Sequence, residues 1–195
     1  MAGRPREFDR DTALLRARDL FWERGFEGVS MAELTDKLGL ASARIYAAFG
    51  SKEELFREAI EHYEKQEGGF ADRALAEEPT ASSAIERMFR EGVELYTRKH
   101  GPRGCMVVSS ATNCTDANGP VREWLSEHRR ARAASIARRI QQAVNTGELP
   151  QGTDVAMLGD LYAATLHGIS IQARDGVTRK RLLALIPTLL KLLRH

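Results

Sequence analysis

The segment from residue 30 to residue 50 restricts how this chain can fold more than any other feature. Ser30-Met-Ala-Glu33 has the form of a capping box, in which a serine hydroxyl and a glutamate three residues later satisfy free groups at a helix start. Gly39 ends this helix after about two turns. A two-residue connection then leads into a second short helix at 42–49. Because the connection is so short, the two helices must cross at a fixed angle, as in a helix-turn-helix.

Helical periodicity dominates the rest of the chain, and no run of alternating apolar and polar residues indicates a strand. Gly68-Gly69 and Glu77-Glu78-Pro79 predict a loose connection, and Pro187 should kink the last helix. We therefore predict an all-α protein of about nine helices, with a helix-turn-helix domain at 1–55 and a C-terminal helical bundle at 56–195. The predicted helices are 9–24, 31–38, 42–49, 52–66, 81–99, 104–114, 119–146, 153–174 and 178–193.

Composition limits the classes of protein to which this 195-residue chain can belong. No apolar run reaches the roughly 18 residues that a membrane span needs, so we expect no membrane partner. No apolar signal segment follows the first residues, and two cysteines do not make a disulfide framework, so we expect a cytoplasmic protein. The net charge is +2, and residues 1–66 carry 11 Lys+Arg against 13 Asp+Glu, a net charge of −2. Binding of nucleic acid would therefore depend on a local basic surface.

Residues Thr12 to Tyr63 resemble the DNA-binding domain of the tetracycline-repressor (TetR) family. The run from Ile45 to Leu55 is especially similar to that family's recognition helix and the turn that follows it. The resemblance implies a ligand-responsive repressor that binds a palindromic operator in double-stranded DNA as a homodimer, with its recognition helix at about 42–49. Arg44 departs from the family pattern, in which Thr is frequent at that position. The resemblance is carried by Ala17, Phe21, Gly25, Phe26, Ser30, Leu34, Gly39, Ile45, Tyr46, Phe49, Lys52, Leu55 and Phe56.

Side chains in and around the second short helix are candidates for DNA contacts. Arg44 could bond a guanine through O6 and N7, worth about 1–3 kcal/mol of discrimination, or it could clamp a phosphate. Tyr46 resembles the family's phosphate-binding tyrosine, and Lys52 lies at a helix start, where a phosphate partner would offset an unfavourable cation. An arm with Arg4 and Arg6 could enter a minor groove or remain an untethered terminus. The predicted DNA-binding residues are Ser30, Ser42, Ala43, Arg44, Tyr46, Lys52, Arg4 and Arg6.

The C-terminal two-thirds of the chain carries no strong motif, so the resemblance implies its architecture only. We expect dimerisation through the last two helices and an unknown small-molecule effector between the middle helices, although ordinary helix packing is the simpler interpretation for any single ligand-binding candidate. The predicted dimer residues are Leu158, Leu161, Leu166, Ile169, Leu182, Leu185, Ile186 and Leu189. The predicted ligand-binding residues are Phe89, Tyr96, Met106, Ser109, Ser110, Asn113, Trp124, His128, Tyr162 and His167.

The two cysteines support a second hypothesis. Cys105 or Cys114 could serve a thiol- or metal-sensing regulator of the same fold, with His128 as a further metal ligand. The cysteines are nine positions apart, which places them on opposite sides of one predicted helix. Buried structural cysteines are the simpler interpretation. We expect no resident metal and no cofactor.

An enzyme and a protein-interaction module are the competing classes of function. The sequence contains no Walker loop, no dinucleotide-binding glycine fingerprint, no His-Glu-x-x-His and no Gly-x-Ser-x-Gly. Its five histidines are scattered without the spacing of a metal site. We therefore expect a transcription regulator that is not an enzyme, and DNA binding distinguishes it from both alternatives.

Overall fold

The computed structural model describes residues 9–110 and 114–193, and these ranges contain helices and turns but no strand. The prediction of an all-α protein is confirmed. No helix in the described ranges is both long and apolar enough to cross a bilayer. Single-turn 3₁₀ helices lie at Glu67–Gly69 and Asp116–Asn118. The α-helices are α1 (Arg10–Arg24), α2 (Met31–Leu38), α3 (Ser42–Phe49), α4 (Lys52–Lys65), α5 (Phe70–Glu77), α6 (Ala81–Tyr96), α7 (Met106–Ser109), α8 (Gly119–Asn145), α9 (Val155–Arg174), α10 (Arg179–Leu183) and α11 (Ile186–Lys191).

Helices α1 to α4 enclose a core that is rich in aromatic side chains. α1 begins where the carboxylate of Asp9 accepts hydrogen bonds from the amides of Asp11 and Thr12, which have no partner within the helix. The apolar residues of α1 recur at helical spacing and are buried on one face. Phe21 on that face packs edge-on against Phe56 of α4, with 5.1 Å between ring centroids. α1 and α4 therefore form the frame that holds α2 and α3.

The segment after α6 ties the N-terminal helices to the rest of the chain. Met106 of α7 and Val121 of α8 are buried in the N-terminal core. The indole Nε1 of Trp22 donates to the carbonyl of Gly104 at 3.0 Å, and a guanidinium nitrogen of Arg174 in α9 donates to the carbonyl of Trp22 at 3.1 Å. These contacts join the end of α1 directly to the C-terminal bundle.

The predicted domain division at residues 55 and 56 falls inside α4. Ala59, Ile60 and Tyr63, which follow that division, are buried in the N-terminal core with α1. Side-chain packing thus continues through α4, and the division itself stays a prediction.

The remaining helices form a bundle around a second apolar core. Phe89 of α6 packs edge-on against Tyr162 of α9, with 6.0 Å between ring centroids, and both rings are fully buried. α8 and α9 approach closely at Gly159, where an added Cβ would lie 2.8 Å from the Cβ of Ala137. A glycine at this position lets the two helices pack backbone against side chain. The bundle is therefore a rigid support for the junction with the N-terminal helices.

Three predicted elements differ from the structure. A helix, α5, forms where paired glycines predicted a loose connection, because Ala74 and its apolar neighbours bury one face against the bundle. The helix predicted at 104–114 begins only at Met106, since Gly104 adopts a φ of +75° that lies outside helical geometry, and α7 is described as far as Ser109. The last helix divides into α10 and α11, because Pro187 has no amide and its ring crowds the carbonyl four residues earlier.

Candidate DNA-binding surface and effector cavity

The turn between α2 and α3 has the geometry that the sequence predicts. The hydroxyl of Ser30 accepts from the amide of Glu33 at 3.2 Å, and the Glu33 carboxylate accepts from the amide of Ser30 at 2.8 Å. Gly39 ends α2 in the left-handed region, at φ 68° and ψ 32°, and its amide donates to the carbonyl of Thr35 at 2.9 Å. This turn fixes the direction in which α3 leaves α2.

α3 separates its buried side chains from its exposed ones. Ile45 and Phe49 are buried in the N-terminal core, whereas the predicted DNA-binding residues of α3 are exposed, and Tyr46 is 47% exposed. Ala41 precedes the helix and provides no side-chain cap, so the first amides of α3 have no partner within the helix. Free amides at a helix start favour an anion such as a phosphate. The exposed residues are Ser42, Ala43, Arg44 and Tyr46.

Arg10 holds the far end of α3 in place. Its guanidinium makes a two-pronged salt bridge to Glu58 of α4, at 2.6 and 2.7 Å, and donates to the carbonyl of Ala48 at 3.3 Å. The same group lies 4.5 Å from the ring centroid of Phe49. Arg10 is therefore a positioning residue that joins α1, α3 and α4, which the sequence analysis did not identify.

The other predicted DNA-binding residues occupy more constrained positions. Lys52 is half-buried with its Nζ 4.3 Å from the ring centroid of Phe26, and burial lowers the pKa of its ammonium. The hydroxyl of Ser30 is engaged in the capping box of α2. Arg4 and Arg6 lie outside the described residues. The DNA contacts of all four residues stay predictions.

A small cavity of about 40 Å³ lies where α4 and α7 meet α6, α8 and α9. Of the ten predicted ligand-binding residues, Tyr96, His128 and His167 line it. Its other walls include residues of α4 and the start of α5, which were not predicted, and Arg129 and Arg132 of α8, whose charges could bind an anionic ligand. The lining residues are Tyr63, Glu64, Gly68, Phe70, Tyr96, Cys105, Val107, Val108, His128, Arg129, Arg132, Leu166 and His167.

Six predicted ligand-binding residues do not line this cavity, and their role in ligand binding stays a prediction. Phe89 and Tyr162 pack against each other in the bundle core, and the Tyr162 hydroxyl donates to a carbonyl of α11. The side chain of Met106 is buried in the N-terminal core, and Trp124 packs between α4 and His128. Ser109 and Ser110 follow the part of α7 that lines the cavity. The remaining candidate, Asn113, lies outside the described residues.

The charged groups of the cavity differ in how well they are paired. Arg132 makes a two-pronged salt bridge to Asp72, at 2.5 and 3.1 Å, and the Nδ1 of His128 lies 2.9 Å from the Glu64 carboxylate. Arg129 is half-buried, and its one hydrogen bond within the described residues is a 3.5 Å contact with the carbonyl of Val107. No salt bridge to Arg129 forms in this part of the chain. The guanidinium of Arg129 is thus the cavity cation that lacks a counter-ion there.

Burial sets the protonation of the cavity's uncharged groups. Burial, together with the positive charges of Arg129 and Arg132, lowers the pKa of His167 to about 4. His167 is therefore neutral near pH 7. Burial raises the pKa values of Tyr63 and Tyr96 well above 10, so both hydroxyls keep their protons.

The two cysteines lie in different environments. Cys105 lines the cavity, and its thiol accepts a hydrogen bond from the hydroxyl of Tyr63 at 3.5 Å. Cys114 is half-exposed near Lys52, and burial raises the pKa of its thiol. Within the described residues, no group of three His, Cys, Asp or Glu side chains could hold a metal ion.

The predicted dimer residues divide between the protomer core and its surface. Five of the eight are at most 4% exposed and pack inside the protomer, so the structure does not support a direct contact with a partner for them, and the predicted interface stays a prediction: Leu158, Leu166, Ile169, Leu182 and Ile186. Leu161 and Leu185 are exposed, and Leu189 is half-buried. The apolar pattern was correct, but the larger side chains of α9 face inward. The outward face of α9 carries the α9 stripe, which consists of Met157, Leu161, Ala164, Gly168 and Ile171.

The chain matches the profiles of two families of known proteins. Residues 13–59 match the bacterial regulatory proteins of the tetR family, and residues 81–176 match the tetracyclin repressor-like C-terminal domain. The chain belongs to the TetR family. The transcriptional repressor ComR of Escherichia coli K12 is 30% identical over 191 residues, covering 97% of this chain and 91% of ComR. The repressor BdcR of the same organism is 30% identical over 187 residues, covering 93% of this chain and 87% of BdcR.

A solved structure extends the similarity to three dimensions. A cysteine mutant of the TetR family regulator CifR, complexed with 26-bp double-strand operator DNA, is 43% identical with a TM-score of 0.92. The match covers 97% of this chain and 98% of the CifR chain. The TetR assignment made from Ile45 to Leu55 is confirmed, and with it the prediction of a DNA-binding transcription regulator.

Proposed function

We propose that this TetR family protein is a homodimeric repressor that inserts α3 into the major groove of a palindromic operator. The observation that carries the proposal is the surface of α3, which presents Arg44 and Tyr46 beside an uncapped helix start while Ile45 and Phe49 anchor the helix in the core. The operator complex of CifR, which is similar over nearly the whole chain, supports it. Its DNA partner would place the protein in the cytoplasm. No enzymatic reaction is part of the proposal.

The exposed side chains of α3 have separable roles in this proposal. Arg44 reads a base edge, and the Tyr46 hydroxyl donates to a phosphate. Arg44→Ala should reduce affinity for the operator tenfold or more and flatten the preference among single-base operator variants. Tyr46→Phe should weaken all variants by a similar factor. Arg90→Ala is the matched control, since Arg90 is exposed on α6 and pairs there with Glu86.

The test measures binding of the purified protein to duplexes that span its own promoter, by footprinting and fluorescence anisotropy. We expect one palindromic site to be protected, with dissociation constants that rise steeply with salt. The proposal fails if the protein binds its promoter no better than random duplex. The base contact assigned to Arg44 is refuted if Arg44→Ala and Arg90→Ala reduce operator affinity equally.

We propose that the dimer forms through the α9 stripe and the exposed face of α10 and α11. Ala164 and Gly168 are small, and nothing in the described protomer lies within 4 Å of a Cβ added at Gly168, so another helix could approach closely there. Leu185 and Leu192, which flank α11, extend the apolar surface, and each is 42% exposed. Two helices from each protomer would then form a four-helix interface, whose geometry sets the spacing of the two α3 helices.

We propose that the cavity between α4, α6, α7, α8 and α9 is the effector site. An effector there would touch Tyr63 and Glu64 of α4 as well as His128 and Arg129 of α8. His128 packs against Trp124, whose ring lies 6.4 Å from that of Phe56 in α4. Two routes therefore lead from the cavity into the helix that follows α3. An effector that binds better to a dimer with different α3 spacing would lower operator affinity.

The coupling can be tested separately from binding. Trp124→Leu should leave effector binding nearly unchanged, because Trp124 does not line the cavity, and it should reduce the effect of the effector on operator affinity. Operator affinity is measured with and without a saturating effector. Equal effector responses in the variant and the native protein would refute this route.

Cys105 provides a second candidate for the trigger, in which a thiol-reactive compound replaces a bound effector. Its thiol lines the cavity and accepts a hydrogen bond from the buried hydroxyl of Tyr63, so a reactive compound bound in the cavity would meet the sulfur directly. Iodoacetamide should then release the protein from operator DNA, and Cys105→Ser should abolish this response. Cys114→Ser is the control, because Cys114 lies near Lys52 and does not line the cavity. Release that persists in Cys105→Ser would exclude this trigger.

A further inference from the structure

The cavity contains more strong hydrogen-bond donors than strong acceptors. Tyr63 and Tyr96 both line the cavity and are each at most 2% exposed, and the Tyr63 hydroxyl donates to the thiol of Cys105 at 3.5 Å. Sulfur is a weak acceptor. The guanidinium of Arg129 has five N–H donors and makes a single 3.5 Å contact with a carbonyl among the described residues. A bound acceptor with negative charge would satisfy these groups better than the protein does.

The charges around the cavity limit the ligand to one negative charge. Asp72 neutralises Arg132 through two hydrogen bonds, so Arg132 is already paired. The only carboxylate among the lining residues, Glu64, is held by His128, and its side chain is 33% exposed. Arg129 therefore remains as the cation that a ligand could pair with.

The remaining walls of the cavity are apolar. Val107 and Val108 of α7, Leu166 of α9 and Phe70 of α5 contribute side chains that can make no hydrogen bond. The space of about 40 Å³ is small, so a ligand of more than a few heavy atoms would require the cavity to widen. A compact molecule with one anionic end and one apolar end matches these walls.

We propose that the cavity binds a small organic monocarboxylate, with its carboxylate on Arg129 and the hydroxyls of Tyr63 and Tyr96. Its apolar part packs against Val107 and Leu166. The inference rests on the proposed function, because it names the ligand class of the effector cavity. Phosphate and other polyanions are excluded from this assignment, since the site offers one unpaired cation.

The first test measures direct binding by calorimetry, with butyrate, hexanoate and benzoate as probes and their methyl esters as uncharged controls. At least one acid should bind, and its ester should bind at least tenfold more weakly, because the ester has no charge for Arg129. Inorganic phosphate at the same concentration should not compete. Equal binding of acid and ester, or displacement of the acid by phosphate, would overturn the proposal.

Variants identify the cation that recognises the acid. Arg129→Met should reduce affinity for the acid by tenfold or more, since a hydrogen bond to a charged group is lost, and Arg129→Lys should restore part of it. Tyr96→Phe should reduce affinity without changing the preference for acid over ester. Arg130→Met is the matched control, because the neighbouring Arg130 is exposed and pairs with Glu123 at 2.6 Å. Equal affinities of Arg129→Met and Arg130→Met would overturn the proposal.

A second measurement separates this inference from the proposed function. Operator affinity is recorded while the acid is added. Binding of the acid by way of Arg129 without any loss of operator affinity supports the carboxylate site and refutes its role as the effector site. Release of the operator by compounds of another class, in a protein that binds none of the acids, supports the repressor and refutes the carboxylate site.

Discussion

His167 makes a quantitative prediction about the acid sensitivity of this protein. The imidazole lines the cavity beside Arg129 and Arg132, and burial with these two charges lowers its pKa from 6.5 to about 4. The folded protein therefore binds a proton at His167 less readily than the unfolded chain does. Stability from this residue is present above pH 6.5 and is lost as the pH falls from 6.5 toward 4. His167→Gln should remove this loss, because glutamine does not titrate.

The size of the effect follows from the two pKa values. Each pH unit inside the window costs about 1.4 kcal/mol, so pH 5 should cost the folded state about 2 kcal/mol relative to pH 7. His167 is half-buried, and solvent screening reduces the figure, so we expect about 1–2 kcal/mol per protomer. Glu64 and His128 also face the cavity, but they are present in both proteins and cancel in the difference.

The assay is urea unfolding at pH 7 and pH 5, at one protein concentration, since a dimer's stability depends on concentration. Carboxylates with lowered pKa values, such as Asp9 and Glu27, contribute little to the difference between pH 7 and pH 5, because their stabilisation is lost only below their ordinary pKa values of 3.8 and 4.5. The native protein should lose about 1–2 kcal/mol more than His167→Gln. Equal losses in the two proteins would refute the assignment of a buried, neutral His167.

Three further predictions address the dimer and the junction. Leu161→Asp should convert the dimer to a monomer in sedimentation velocity, since it places a charge in the α9 stripe; a dimer that persists would exclude this face. Gly104→Ala should lower the free energy of unfolding by about 2 kcal/mol, because its φ is +75° and a Cβ would lie 2.8 Å from a side-chain carbon of Arg174. Gly147→Ala, with a φ of +78° and nothing within 4 Å, should cost about 1 kcal/mol in the same urea assay. Equal costs would show that the close contact is unimportant. Trp22→Phe should cost about 1–3 kcal/mol by leaving the carbonyl of Gly104 without its donor, and no loss of stability in urea would contradict this.

The sequence was sufficient for the helix-turn-helix because that geometry is encoded locally. The capping box at Ser30, the left-handed glycine at Gly39 and the spacing of Ile45 and Phe49 each act within a few residues. Arg10 was not predicted, because its partner Glu58 lies 48 positions away and only the folded chain brings the two together. Local signals thus identify the recognition surface, and long-range contacts position it.

The cavity could be predicted only in part for the same reason. Arg129 and Arg132 are three residues apart on one helix, so the sequence does place them on one face. That face could equally have been solvated, and only the packing of α4 and α9 shows that it is not. The face of α9 that forms the dimer could not be predicted for a different reason. α9 is apolar on two sides, and helical periodicity alone does not indicate which side a protomer buries.

The net charge of the N-terminal segment leads to a final test of how the protein holds DNA. Residues 1–66 have a net charge of −2, so phosphate binding depends on a few cations. If Lys52 neutralises one phosphate, and the charge of Arg44 at its base edge displaces one further counter-ion, a dimer releases about four counter-ions, and the logarithm of affinity should fall with the logarithm of salt at a slope near −3.6. If Arg4 and Arg6 also reach the DNA, the count doubles and the slope should approach −7. Arg4→Ala combined with Arg6→Ala would then return the slope to about −3.6. A slope near −3.6 in the native protein would show that the arm does not neutralise phosphates, and a slope near zero would refute the proposed phosphate contacts of α3 and α4.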